Sequence, residues 1–232
     1  MALPIVETPR YECTLASQDM QVQYRPFLVK EEKILLVAME SKDNNEIINA
    51  TKQVIQACTY NKIDVDKLPM FDIEYLLLQI RAKSVGEISK FKVVCPDDKQ
   101  TVTDVELDLS TVEVQVEDDH TNKIVIDEKR NLGLVLNYPS LGITKAGFDV
   151  NKTDSDSMFN VICSCIDHIY EGDKVYPAKD STQKELKDFI ESITQKAFLD
   201  IKKFFETAPQ LRHEVEVTNP KTGVKSKVTF KG

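Results

Sequence analysis

Glycine, long apolar runs and clustered positive charge are all scarce in this sequence of 232 residues, and each shortage closes off a class of function. Seven glycines are present, and none falls in a GxxxxGK or GxGxxG pattern; Gly133, Gly142 and Gly147 stand singly beside expected strands or loops. A phosphate-cradling nucleotide site has no support. No stretch approaches the roughly 20 apolar residues that cross a bilayer, so no membrane partner is expected. Thirty basic side chains face 38 acidic ones, a net charge of −8, and the one dense local group is the acidic Glu117, Asp118 and Asp119. A duplex-binding surface needs clustered Lys and Arg to release counterions, so no nucleic-acid partner is expected either. The opening "MALPIVETPRYE" lacks the basic segment and apolar core of a secretion signal. Five cysteines, an odd number without regular spacing, fit a reducing cytoplasm better than a disulfide framework. The expectation is a protein made and kept inside a cell.

What is present is ordinary globular material. Apolar residues make up 41% and charged residues 29%, and a chain of this length buries enough surface to fold without disulfide or metal. Strand-like runs at Tyr11 to Leu15 and Val22 to Val29 flank the polar "SQD", as in a hairpin. Helical spacing follows in Ile34, Leu35 and Ala38, then in Ile47, Ile48, Val54, Ile55 and Cys58, which places Cys58 in a core. "LPMFDIEYLLLQIRAKSVGE" predicts a helix from Leu68 that stops near Gly86, with so little polar surface that something must cover it. Alternating runs from Phe91 to Leu136 predict a small, mostly antiparallel sheet with one wet face. Asp154 to Ser157 offer caps for a helix reaching about Tyr170. Thr182 to Glu185 form a capping box ahead of one long amphipathic helix ending before Pro209. Arg212 to Thr218 and Val224 to Phe230 predict a hairpin around "NPKTG". The fold class is therefore α+β: an N-terminal hairpin with helices (1–90), a central, mostly antiparallel β region (91–150), and C-terminal amphipathic helices with a terminal hairpin (151–232), in one or two compact domains.

Reactive chemistry has one place to look. "ICSCIDHIYEGD" gathers Cys163, Cys165 and His168 within six positions. On a continuous helix Cys163 falls with Ile162, Ile166 and Ile169, while Cys165 and His168 share another face. Zinc needs four converging ligands, and the remaining candidates are poor. In "CPDD", Asp98 stands where a second thiolate would follow Cys95, and His120 and His213 lie in polar turn or strand-start settings. Thiol catalysis needs a positioned base and an electropositive setting that no motif marks. Asp72 and Glu74 read as helix-start charge. No catalytic, cofactor or metal residue is assigned, and no enzyme is expected; a zinc- or thiol-dependent regulator using Cys165 and His168 is the alternative. The apolar Leu68 helix, the "LGLVLNYPSLGI" stretch and the aromatic-rich C-terminal helix fit an ordinary core as well as they fit an interaction surface. The candidate anchors of such a surface are Phe71, Tyr75, Leu78 and Arg81 on the Leu68 helix and Phe198, Ile201 and Phe205 near the C-terminus.

"LPIVETPRYECTL", "YRPFLVKEEKILLVAMES" and "DVDKLPMFDIEYLLLQIRAKSVGE" together resemble the baseplate hub subunit family of T-even-type contractile-tailed phages, especially its cyanophage-like members. The resemblance covers most of the chain and is strongest over the first ninety residues. It implies a virion or hub-assembly protein, located in the tail baseplate or in the host cytoplasm during assembly, whose partners are other baseplate hub proteins. It carries no catalytic residue to transfer. It also gives the Leu68 helix, with Arg81 and Lys83 at its charged end, a docking role.

Overall fold

The computed structural model describes residues 7–141 and 155–231. Gly142, Gly147 and the expected cap at Asp154 lie outside them. The described chain forms two compact units, residues 7–115 with 210–231 and residues 116–209. These units cut across the three regions drawn from sequence, because the last strands return to the first unit.

The first unit opens with an antiparallel hairpin, β1 (Tyr11–Leu15) and β2 (Met20–Tyr24), in register from Tyr11↔Tyr24 to Leu15↔Met20. The expected second strand ends five residues early, and Val29 starts a helix instead. Pro26 supplies a reason, since it has no N–H to extend the ladder. Helices α1 (Val29–Ser41), α2 (Asn44–Cys58) and α3 (Met70–Val85) follow. Asp43 caps α2 by accepting from the N–H groups of Asn45 and Glu46. Leu15, Tyr24, Val54, Ile55, Cys58, Leu76 and Ile80 are buried in this unit.

A hairpin of β3 (Ile88–Val94) and β4 (Val102–Asp108) comes next, then the short β5 (Val114–Gln115). The terminal hairpin of β10 (Gln210–Thr218) and β11 (Lys225–Lys231) completes the unit by pairing β10 with β5. Two loops clamp each other here. Buried Asn219 donates both amide hydrogens to Asp97, at 2.9 and 3.0 Å, and Thr222 donates its hydroxyl to the same carboxylate at 2.7 Å.

The second unit carries a four-stranded antiparallel sheet in the order β6 (Lys123–Asp127), β7 (Leu132–Leu136), β8 (Ile166–Glu171) and β9 (Lys174–Pro177). Helices α4 (Ser155–Cys165), α5 (Gln183–Ser192) and α6 (Gln195–Glu206) belong to the same unit. The expected helix through Tyr170 stops at Cys165. From Ile166 onward the chain is strand, because β7 and β9 both pair with it and tertiary pairing overrides an ambiguous local period. The expected single C-terminal helix is two helices. Thr194 breaks it by taking the Ala197 N–H onto its hydroxyl and starting α6 afresh. The Thr182–Glu185 capping box is present at α5, with Thr182 and Glu185 each accepting the other's N–H. The unit's core joins Leu134 and Leu136 of the sheet to Cys163, Cys165, Ile190, Ile201 and Phe204. Each large side chain fully buried there contributes about 1.5–3 kcal/mol.

Candidate functional site

Helix α1 leaves several apolar side chains exposed. "ILLVAM" places apolar side chains at six successive positions, so they point all round the helix and no single face can bury them. Only Glu31 and Ala38 of α1 are buried. Val29, Leu36, Val37 and Met39 remain 81%, 54%, 56% and 64% exposed. Between α1 and α2 runs a groove of about 420 Å³ whose walls include Ile34, Val37, Ala38 and Ala50, with Lys30 and Lys33 beside them.

The root of α1 is a buried ion pair. Arg25 donates to Glu31 at 3.0 Å, and the two side chains are only 11% and 3% exposed. The other oxygen of Glu31 accepts the Leu28 N–H at 2.8 Å, satisfying a donor at the helix start. Burial opposes the charge on Glu31, but the Arg25 guanidinium, the Leu28 N–H and Lys30 outweigh it and lower its pKa. Helix α1 thus projects its apolar side chains from a fixed base.

The anchors expected from sequence divide by placement. Phe71 and Ile201, 6% and 0% exposed, are used in the cores of their own units. Tyr75 and Leu78 are half-buried on α3, and Arg81 is exposed one turn further on. Phe198 stacks on Phe159 with ring centroids 5.5 Å apart, and Phe205 meets Phe204 edge-on at 5.0 Å. Phe198 and Phe205 both keep partial exposure. The α3 anchors belong to the first unit and those of α6 to the second.

Asp72, read as simple helix-start charge, is fully buried. It accepts from the Ala16 N–H at 3.1 Å and from the Ser17 hydroxyl, which ties the first hairpin to α3. Burial raises its pKa despite those bonds.

The cysteine–histidine stretch is divided by the helix-to-strand switch. Cys163 and Cys165 are both buried, and burial pushes their thiols up to about 11 and about 12. Thiols so placed stay protonated at neutral pH, the reverse of a reactive thiolate. His168 lies on β8 with Nδ1 2.7 Å from Asp167. Among the described residues no three His, Cys, Asp or Glu side chains are grouped to hold a metal.

His120, assigned a plain polar turn from sequence, holds together a cluster in the second unit. Its ring stacks with Tyr138 and Phe204 at 5.6 and 5.3 Å. Its two nitrogens lie 2.8 Å from the Thr207 and Tyr138 hydroxyls. Thr207 gives its hydrogen to the Lys203 carbonyl, so it accepts from Nδ1–H, and in the tautomer that carries its one proton there Nε2 accepts from Tyr138. That arrangement needs a neutral imidazole, and burial lowers the His120 pKa accordingly.

A wide groove of about 700 Å³ lies between β6 and α6 in the same unit. Its walls carry Lys123, Lys129, Lys196 and Lys203 against Asp119, Asp127, Glu128 and Asp200. Lys203 is paired with Asp119, which lowers the carboxylate's pKa and raises the amine's. Both groups move away from neutrality, whereas an acid–base pair needs the opposite.

No curated protein and no solved structure matches the chain. The family model described as "T4 bacteriophage base plate protein" matches residues 8–232, which takes in both units from the first hairpin to the last strand. With that match spanning nearly the whole length, the chain belongs to the T4 bacteriophage base plate protein family.

Proposed function

We propose that this baseplate protein works in the hub, as a hub subunit or a hub-assembly protein, by docking on other hub proteins through the apolar surface of α1. Family membership makes it a structural protein of the virion baseplate with other baseplate proteins as partners. The hub is the narrower reading. It rests on the resemblance carried by "PFLVKEEK" and "FDIEYLLLQIRAKSVGE". The observation that carries the contact mechanism is the exposure of Val29, Leu36, Val37 and Met39 on one helix. Interfaces draw their affinity from a few apolar anchors that lose water on binding.

Burying the exposed half of four such side chains supplies about 4 kcal/mol, enough for α1 to dominate a protein contact. The test is co-purification of the full chain with co-expressed hub proteins. A Leu36→Asp/Val37→Asp double variant, which replaces two residues more than half exposed, is expected to lower recovery of the complex at least tenfold with unchanged circular dichroism. Undiminished recovery would remove α1 as the contact. Quantitative mass spectrometry of purified virions then separates the two hub roles, since a subunit persists in fixed proportion and an assembly factor is lost.

A further inference from the structure

The outward face of α1 carries a charge pattern as well as apolar side chains. The buried residues of the helix, Glu31 and Ala38, are seven positions apart and so lie on one side of it, two turns from each other. Lys33 and Glu40 each stand two positions further on, about 200° round, which puts them on the opposite, outward side. Val29 and Leu36 share that side, four positions before Lys33 and four before Glu40. The outermost stripe therefore reads Val29, Lys33, Leu36, Glu40. Ile34 and Val37 turn instead toward the groove shared with α2.

Among the described residues neither Lys33 nor Glu40 makes an ion pair, whereas Lys30 pairs with Glu31. The other charges about α1 stand off the stripe. Glu32 is about 100° round from Lys33, Lys42 follows the last turn, Asp43 is occupied in capping α2, and Glu46 is on α2 in the wall of the groove. Lys33 and Glu40 are about 10.5 Å apart along the axis, and their midpoint falls between Leu36 and Val37, both exposed. A stripe with one cation and one anion set evenly about an apolar centre matches itself when turned end for end. An antiparallel copy brings Lys33 of each chain to Glu40 of the other, packs Leu36 of both chains at the axis and sets Glu32 beside Ser41, so no like charges face. A parallel copy would set Lys33 on Lys33 and Glu40 on Glu40, which repel.

We propose that the outward stripe of α1 is a self-association surface, on which a second copy of this chain packs its own α1 antiparallel about a twofold axis near Leu36. An isologous contact of this kind closes on itself at two copies. The inference rests on the reading of α1 as a docking helix, and goes beyond it by giving the outward stripe to a second copy while the groove against α2 remains for other hub proteins.

The experiment is sedimentation equilibrium of the full-length chain at concentrations up to about 1 mM, since one helix pair with exposed ion pairs gives a weak dimer, with a Kd on the order of 100 µM. Lys33→Glu sets Glu against Glu twice across the axis, and Glu40→Lys sets Lys against Lys twice. Each alone is expected to raise the Kd at least about tenfold with unchanged circular dichroism. Mixed in equal amounts, the two variants meet with opposite charges at both positions, so a heterodimer of wild-type strength is expected. The Lys33→Glu/Glu40→Lys double variant exchanges the pair within each chain and is expected to dimerise as the wild type does. A wild-type chain that stays monomeric throughout that range, single variants that dimerise like the wild type, or a mixture that stays monomeric would each overturn the proposal. A monomeric chain whose Leu36→Asp/Val37→Asp variant still loses the hub proteins removes the second copy alone. A dimer that obeys the charge exchange, in a chain that co-purifies with no hub protein, removes the hub reading alone.

Discussion

Replacing Glu31 by Gln tests whether α1 is held from its root. In the folded chain the Arg25 guanidinium has Glu31 as its ion-pair partner and is 11% exposed. The variant leaves that cation buried with a neutral neighbour, and the single amide oxygen cannot serve both Arg25 and the Leu28 N–H as the carboxylate does. Breaking a buried pair on one side costs about 3–5 kcal/mol. Since Gln keeps one of the two bonds, the expected loss is near the lower figure, about 3 kcal/mol. With a urea slope of about 1–3 kcal/mol per molar, the unfolding midpoint of the first unit falls by roughly 1–3 M. Far-ultraviolet circular dichroism across a urea series measures it. A double variant, Arg25→Met with Glu31→Leu, removes both charges and is expected to regain most of the loss, apart from the Leu28 N–H left without its acceptor. Acid should act like the single variant. The lowered pKa of Glu31 means its contribution is complete above the ordinary carboxylate value of 4.5 and is lost as pH falls below it. A midpoint shift under about 0.3 M for Glu31→Gln would refute the claim that this pair anchors the helix.

Three further outcomes follow from the same structure. Gly133→Ala places a methyl group against the Tyr170 hydroxyl and ring across the sheet, and is expected to destabilise the second unit by about 2 kcal/mol or more in the same urea assay. His120 holds its proton less tightly when folded, so the unfolded chain takes up a proton first as pH drops below 6.5. The melting temperature of the second unit should therefore fall on acidification from pH 7 to 5.5, and His120→Gln should flatten that slope; an equal slope in the variant would contradict the neutral cluster. Asn219→Ala leaves Asp97 without two of its donors at the clamp between loops, with an expected loss of about 1–3 kcal/mol and faster amide exchange at Gly223.

Much of the secondary structure was visible in the sequence, and the exceptions have physical causes. The α+β class, the two terminal hairpins and the Thr182 capping box followed from periods and turn residues that act locally. Cys58 fell in the core because its helical stripe is unambiguous, and it is fully buried. The segment from Cys163 to Tyr170 fits both a helical stripe and a strand, and only the presence of β7 and β9 on either side decides for the strand. Similarly, the pairing of Leu211 with Val114 joins residues far apart in sequence and has no local signature. The surface was harder. Phe71, Tyr75 and Leu78 share one helix, yet only the fold reveals that Phe71 is consumed by the core. The exposed face of α1 did have a signal, the unbroken run "ILLVAM", since consecutive apolar positions cannot all face inward. His120 had none, because Thr207 and Tyr138 reach it from distant parts of the chain.

Lysine-reactive cross-linking of assembled hubs bears most directly on the idea that this protein acts by presenting α1 to a neighbour. Lys30 and Lys33 flank the exposed apolar residues of that helix. In the assembled particle they should link to another baseplate protein and lose reactivity relative to the isolated chain. Lysines that react as freely in the particle as in solution, with links only inside this chain, would contradict it.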